Sequence, residues 1–182
     1  EKLEGAMQEG YASIDIAAAM GFRGIRVFGN NIKGDETECL DRIIGGISRL
    51  CEYAADKEVA VLLETHGDVN TAERLGRVAA DCGKYENFGF IWDVCHTRLT
   101  YGENWHIFCD DFFPLIRHLH LKDVTPDGLV LPGEGTLPLR DMTKYLISKG
   151  YDGYFSLEWE KKWHPELPPI EDALQALFDT LV

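Results

Sequence analysis

Phe90-Ile91-Trp92-Asp93-Val94-Cys95-His96 ends an apolar run on a carboxylate and sets an imidazole three residues beyond it. Acidic residues follow strands in many loops, so Asp93 alone decides little. Recurrence decides: Val59-Ala60-Val61-Leu62-Leu63 runs into Glu64, Ile116-Arg117-His118-Leu119 into His120, and Tyr154-Phe155-Ser156-Leu157 into Glu158. Parallel strands bring their C-terminal ends to one rim, so donors far apart in sequence would meet there.

The segments between these runs read as helices. Upstream, 13–20 is rich in helix formers and stops at Gly21, and Gly24–Phe28 is a strand closed by Gly29-Asn30-Asn31. Asp35-Glu36-Thr37-Glu38 is a capping box, and Leu40, Ile43, Ile44, Ile47, Leu50, Cys51 and Ala54 behind it follow helical spacing. After the strand at 59–64, Asn70-Thr71-Ala72-Glu73 opens a second capped helix that ends by Gly83. Downstream of the strand at 88–93, the sequence predicts a loop over 98–104 and a short helix over 105–113. A strand follows at 116–122. Turn signals in Pro126-Asp127-Gly128 and Pro132-Gly133-Glu134-Gly135 make 123–136 a loop. A helix over 137–149, a strand over 153–158 and a helix over 170–181 complete the chain.

Strands alternating with helices in units of about 25–35 residues imply a right-handed parallel sheet with covering helices. No Gly-x-Gly-x-x-Gly follows the first strand, which removes the best support for a dinucleotide-binding open sheet. Donors at the ends of four strands are instead the habit of the eight-stranded barrel, which needs about 250 residues. Five units behind a leading helix, in 182 residues, amount to the later part of one, read here as a single domain over 1–182.

Composition narrows the function classes. With 18 basic against 31 acidic residues and a net charge of -13, the chain lacks the basic footprint of a nucleic-acid binder. No run approaches a membrane span, and the start at Glu1 does not resemble a signal peptide. The missing initiator Met suggests a fragment or processed chain. Cys39, Cys51, Cys82, Cys95 and Cys109 are widely spaced and odd in number, as expected of thiols in a reducing compartment; a cytoplasmic location is the expectation. Open sheet edges, if present, would favour a homo-oligomer that covers them.

Glu64, Asp93, His120 and Glu158 suit one divalent cation, Mn²⁺, Co²⁺, Zn²⁺, Fe²⁺ or Mg²⁺, since three carboxylates pressed together need a compensating positive charge. His66 and His96 stand close enough in sequence to these donors to bind a substrate hydroxyl or orient a ligand. His118 shares the parity of His120, so alternation alone leaves the choice between them open. Lys122, on the same parity, could neutralise an enolate or pair with a carboxylate. Among the tryptophans, Trp105 is a candidate for an apolar platform under a sugar.

Leu63-Glu64-Thr65-His66, Trp92-Asp93-Val94-Cys95-His96, His118-Leu119-His120-Leu121-Lys122-Asp123, Pro132-Gly133-Glu134-Gly135 and Ser156-Leu157-Glu158-Trp159-Glu160 together resemble the sugar phosphate isomerase/epimerase family, with its xylose isomerase-like TIM barrel. The resemblance runs from about residue 13 to the end and corresponds to that barrel from its third helix through strands four to eight. It implies one divalent metal held at Glu64, Asp93, His120 and Glu158, and a small-molecule sugar substrate. In the family's ketose 3-epimerases the glutamates matching Glu64 and Glu158 are also the acid/base pair, and the histidine matching His96 binds substrate. Pro126 stands where those enzymes carry an arginine. Leu129 and Leu131 fall where related apurinic endonucleases carry an Asp-x-His pair for additional metals, which sets this chain apart from them. The implied chemistry is isomerisation or epimerisation through a cis-enediolate. Dehydration of a polyol or hydroxy-ketone acid and a non-catalytic barrel fragment are the alternatives, with phosphodiester cleavage behind them.

Overall fold

The computed structural model describes residues 2–29 and 31–182; Glu1 and Asn30 lie outside them. Five strands, β1 (Gly24–Phe28), β2 (Ala60–Glu64), β3 (Phe88–Asp93), β4 (Ile116–Leu121) and β7 (Tyr154–Leu157), lie in that order in one sheet, and a separate two-stranded ribbon holds β5 (Asp123–Thr125) and β6 (Gly128–Val130). By contact density the chain divides into two compact units, the first running to Ile91 and including Pro114–Arg117, the second comprising Trp92–Phe113 and His118–Val182.

In the first unit β1 (Gly24–Phe28), β2 (Ala60–Glu64) and the start of β3 (Phe88–Asp93) pair in parallel, with Phe28 opposite Glu64 and Glu64 opposite Ile91. Helix α1 spans Lys2–Met20, eleven residues longer at its start than the helix read from sequence. Met7, Ile14 and Ala17 explain the extension: they recur on one helical face and all are buried. Helix α2 (Glu36–Ala54) is capped as expected, Asp35 accepting from the Glu38 amide at 2.9 Å, and buries Leu40, Ile47, Leu50 and Cys51. For α3 (Ala72–Cys82) the cap is Thr71 rather than Asn70, because 67–70 close into a 3₁₀ turn first. The Thr71 hydroxyl accepts from the Arg74 amide at 3.3 Å.

Every residue of β3 is buried, as a strand covered on both faces requires. Gly89 allows its neighbour to approach: a Cβ there would stand 2.3 Å from Arg117 Cγ and 2.8 Å from the Leu115 carbonyl oxygen.

The second unit departs from expectation just after Asp93. Helix α4 (Val94–Tyr101) begins at once, then a 3₁₀ turn and α5 (Trp105–Phe112), so 98–104 is mostly helical rather than a loop. Asp93 is itself the N-cap: its Oδ1 accepts from the amides of Cys95 at 2.9 Å and His96 at 3.1 Å. Thr97 donates to the Asp93 carbonyl and accepts from the Trp92 indole at 2.7 Å, which locks the strand-to-helix turn. Trp92 is fully buried against Phe108.

Strand β4 (Ile116–Leu121) enters this unit at His118 and pairs in parallel with β7 (Tyr154–Leu157), His120 opposite Ser156 and Leu121 opposite Leu157. The expected loop after β4 carries an antiparallel ribbon, β5 (Asp123–Thr125) and β6 (Gly128–Val130), turned by Pro126 and Asp127. Helices α6 (Leu139–Ser148) and α7 (Ile170–Leu181) follow as the sequence predicts. Among the described residues no helix is long and apolar enough to cross a membrane.

Candidate metal centre

The β4–β7 register places the chemistry of the second unit. The Glu158 amide donates to the Leu121 carbonyl at 2.9 Å, so the ladder continues one step and sets Lys122 beside Glu158. Alternation turns Leu119 and Leu121 into the apolar interior and leaves His118, His120 and Lys122 on the opposite parity. Parity does not separate His118 from His120, but partners do. His118 Nε2 lies 2.8 Å from the Ser156 hydroxyl, whereas His120 Nδ1 lies 3.9 Å from Glu158 Oε1.

Glu64, Asp93, His120 and Glu158 each offer one ligand atom, and those atoms all lie within 4.8 Å of one another. Metal–donor bonds of about 2.0–2.4 Å put opposite donors at most about 4.8 Å apart, so the spread is within what one ion can span. The donor chemistry, carboxylate oxygens with one imidazole, suits a hard or borderline divalent cation. Glu64 and Asp93 are fully buried, and burying the charge of a carboxylate is costly without positive charge beside it.

Lys122 supplies part of that charge. Its ammonium lies 3.0 Å from Asp93 Oδ2, 2.6 Å from Glu158 Oε2 and 3.0 Å from Glu160 Oε1, with the side chain only 4% exposed. Burial alone would pull its pKa down; the Asp93 and Glu158 carboxylates, joined by Glu160, outweigh that and hold it above lysine's ordinary value. Removing one partner from such a set costs about 3–5 kcal/mol, because an uncompensated charge remains. In the first unit Arg26 Nη1 plays a comparable part toward Glu64 Oε2 at 3.0 Å while its guanidinium stacks over Phe28.

His96 lies 3.7 Å from Asp93 Oδ2 and 3.5 Å from Lys122 Nζ, because α4 starts immediately and brings it round one turn. His66 stands edge-on to Phe28 with ring centroids 5.4 Å apart. Trp105 packs edge-on against Tyr145 of α6, at 5.5 Å, and against the neighbouring His106 ring.

Sequence reasoning gave no role to Arg26, Glu160 or Asp123. Arg26 had one visible signal, a lone cation inside an apolar strand. Asp123 is fully buried, and its carboxylate accepts four backbone amides: Val124 and Leu137 on Oδ1 at 2.9 and 3.1 Å, Gly133 and Gly135 on Oδ2 at 2.9 and 3.1 Å. It thereby folds the segment from the ribbon to Leu137 around the residue next to Lys122. Gly135 is needed because a Cβ there would stand 2.1 Å from Asp123 Oδ1.

This order of elements matches known proteins. The sequence profile of the xylose isomerase-like TIM barrel covers residues 1–180. The chain belongs to that family. It is 29% identical over 124 residues to the fructoselysine 3-epimerase of Escherichia coli O157:H7, covering 64% of this chain and 44% of that protein. To the inosose dehydratase of Geobacillus thermodenitrificans it is 25% identical over 182 residues, covering 81% and 60%. The chain thus spans about half the length of the curated relatives it matches. Among solved structures, the probable 3-DHS dehydratase AsbF of Bacillus anthracis aligns with a TM-score of 0.79 at 19% identity, over 100% of this chain and 71% of that one. IOLI protein with a bound zinc atom gives 0.74 at 18%, over 95% and 66%. A xylose isomerase-like TIM barrel protein of Mycobacterium smegmatis, in complex with magnesium, gives 0.70 at 16%, over 98% and 69%.

Proposed function

We propose that this chain is one partial barrel domain of a metal-dependent sugar isomerase or epimerase that removes a proton alpha to a carbonyl and passes through a cis-enediolate. The observation that carries the reading is the four-donor cluster of Glu64, Asp93, His120 and Glu158. The epimerase relative and the zinc- and magnesium-bound neighbours support it. Held by those four residues, a divalent ion would polarise the substrate carbonyl and offset the charge of the developing oxyanion. The chain's own groups do the rest. Glu64 or Glu158 takes the alpha proton, and the other glutamate returns one for epimerisation. Arg26 and Lys122 set a positive charge 3.0 and 2.6 Å from the two carboxylates. His96, beside Lys122, is the proposed partner of a substrate hydroxyl, and His66 and Trp105 are proposed as further substrate contacts. The free thiols fit a reducing compartment, and the cytoplasm is the proposed location.

Exchange of a substrate alpha proton with solvent deuterium, followed by NMR across a panel of ketoses and aldoses, tests the reading. Metal-loaded protein should exchange, chelated protein should not, and Glu158→Gln should slow exchange by about 10²–10⁴-fold. A sugar that binds but never exchanges would sink it. Dehydration is the second reading, favoured by the dehydratase relative that covers 81% of the chain. It shares the proton abstraction but expels a hydroxyl, so loss of water from the product mass identifies it.

A further inference from the structure

We propose that Lys122 is a tethered cation competing with the divalent ion for the carboxylates of this centre, so that the lysine sets how tightly the metal is held. The inference rests on the metal-centre reading above and concerns the affinity of that site. Asp93 commits Oδ1 to the amides of Cys95 and His96, which leaves Oδ2 as the oxygen it turns toward a cation. Lys122 Nζ already stands 3.0 Å from that atom. On Glu158 the ammonium takes Oε2 at 2.6 Å, while Oε1 faces His120. On Asp93 the ammonium therefore stands at the very oxygen left for the metal, and on Glu158 it holds one oxygen of a carboxylate whose other oxygen faces His120. Two cations packed against the same carboxylates repel, and in a buried site that repulsion is weakly screened.

Glu160 gives the ammonium somewhere to retreat. It lies 3.0 Å from Lys122 Nζ, its side chain is 32% exposed, and it stands outside the group of four donors. The three carboxylates around Lys122 thus divide by role. Asp93 and Glu158 hold it in competition with the metal, and Glu160 holds it when the metal is in place.

Calorimetric titration of Mn²⁺ into the metal-stripped full chain tests this. Lys122→Gln and Lys122→Met should each lower the Kd by about tenfold or more, since the competing charge is gone. Glu160→Gln should raise it severalfold in the parent, and change it less than about twofold when combined with Lys122→Gln. A general loss of negative charge would weaken binding equally in both backgrounds, which overturns the proposal. So does unchanged or weaker binding by both lysine variants while the parent binds. Metal-free melting curves report whether each variant is folded. Should both lysine variants unfold, unchanged affinity in Glu160→Gln still overturns it. Absence of saturable binding in parent and variants alike instead overturns the metal centre, and this proposal with it.

Discussion

Asp93 and Asp123 are both fully buried aspartates at strand ends, and their surroundings give them different work. Asp93 spends one oxygen on capping α4 and turns the other toward Lys122. Asp123 spends both on backbone amides and has a purely architectural task. Asp123→Asn replaces one acceptor oxygen by an NH₂ that faces N–H donors and leaves them unsatisfied. It should therefore destabilise the protein by about 2–4 kcal/mol in urea unfolding. Hydrogen exchange should locate the loss at the amides of Gly133, Gly135 and Leu137. Unchanged protection there would show that the loop is held by something other than this carboxylate.

At the scale of elements, β3 shows how tightly a covered strand is specified. Gly89→Ala would press a methyl group against Arg117 Cγ and the Leu115 carbonyl, and the carbonyl belongs to backbone that cannot swing aside. A loss of about 1–3 kcal/mol is expected, measured as a lower urea midpoint at unchanged slope. The strands were legible because burial on both faces makes each a continuous apolar run, and β1 and β3 have the bounds the sequence implied. What stayed illegible depends on atoms rather than on periodicity. The second half of α4, 98–101, lies where the sequence predicts a loop, because a carboxylate that suits a metal gives no sign that it also caps a helix. The cap of α3 moved by one residue because a 3₁₀ turn takes up Asn70. Three-residue strands around Pro126 and Asp127 leave no alternation to detect, so the turn signals alone predict a loop where β5 and β6 form a ribbon. The pairing of Arg26 with Glu64 spans 38 positions, and no local pattern announces such a partner.

For the whole molecule, the thiols and phenols make stability depend on alkaline pH. Desolvation raises Cys51 to about 12, and Cys95 and Cys109 to about 11 each; Tyr101 is likewise raised to about 12. In the unfolded chain the thiols ionise near 9.0 and the phenol near 10.0. Between those values and the folded ones the native state holds more protons than the unfolded state, so raising pH favours unfolding. The stabilisation is full below about pH 9 and drains away as pH climbs toward the folded values, on the order of a few kcal/mol for fully buried Cys51 alone. Chemical unfolding should give a flat midpoint from pH 6.5 to 8 and a steep fall between 9 and 11. The net charge of -13 adds repulsion in the same direction, so the comparison that isolates the thiol is Cys51→Ala. That variant should be less stable at neutral pH, through a small cavity, yet lose less between pH 9 and 11. An equal alkaline loss in the two proteins would assign the decline to charge repulsion instead. The same burial predicts that Ellman's reagent at pH 8 reaches Cys95 first, the one half-buried thiol among four buried ones, and counts all five only in denaturant.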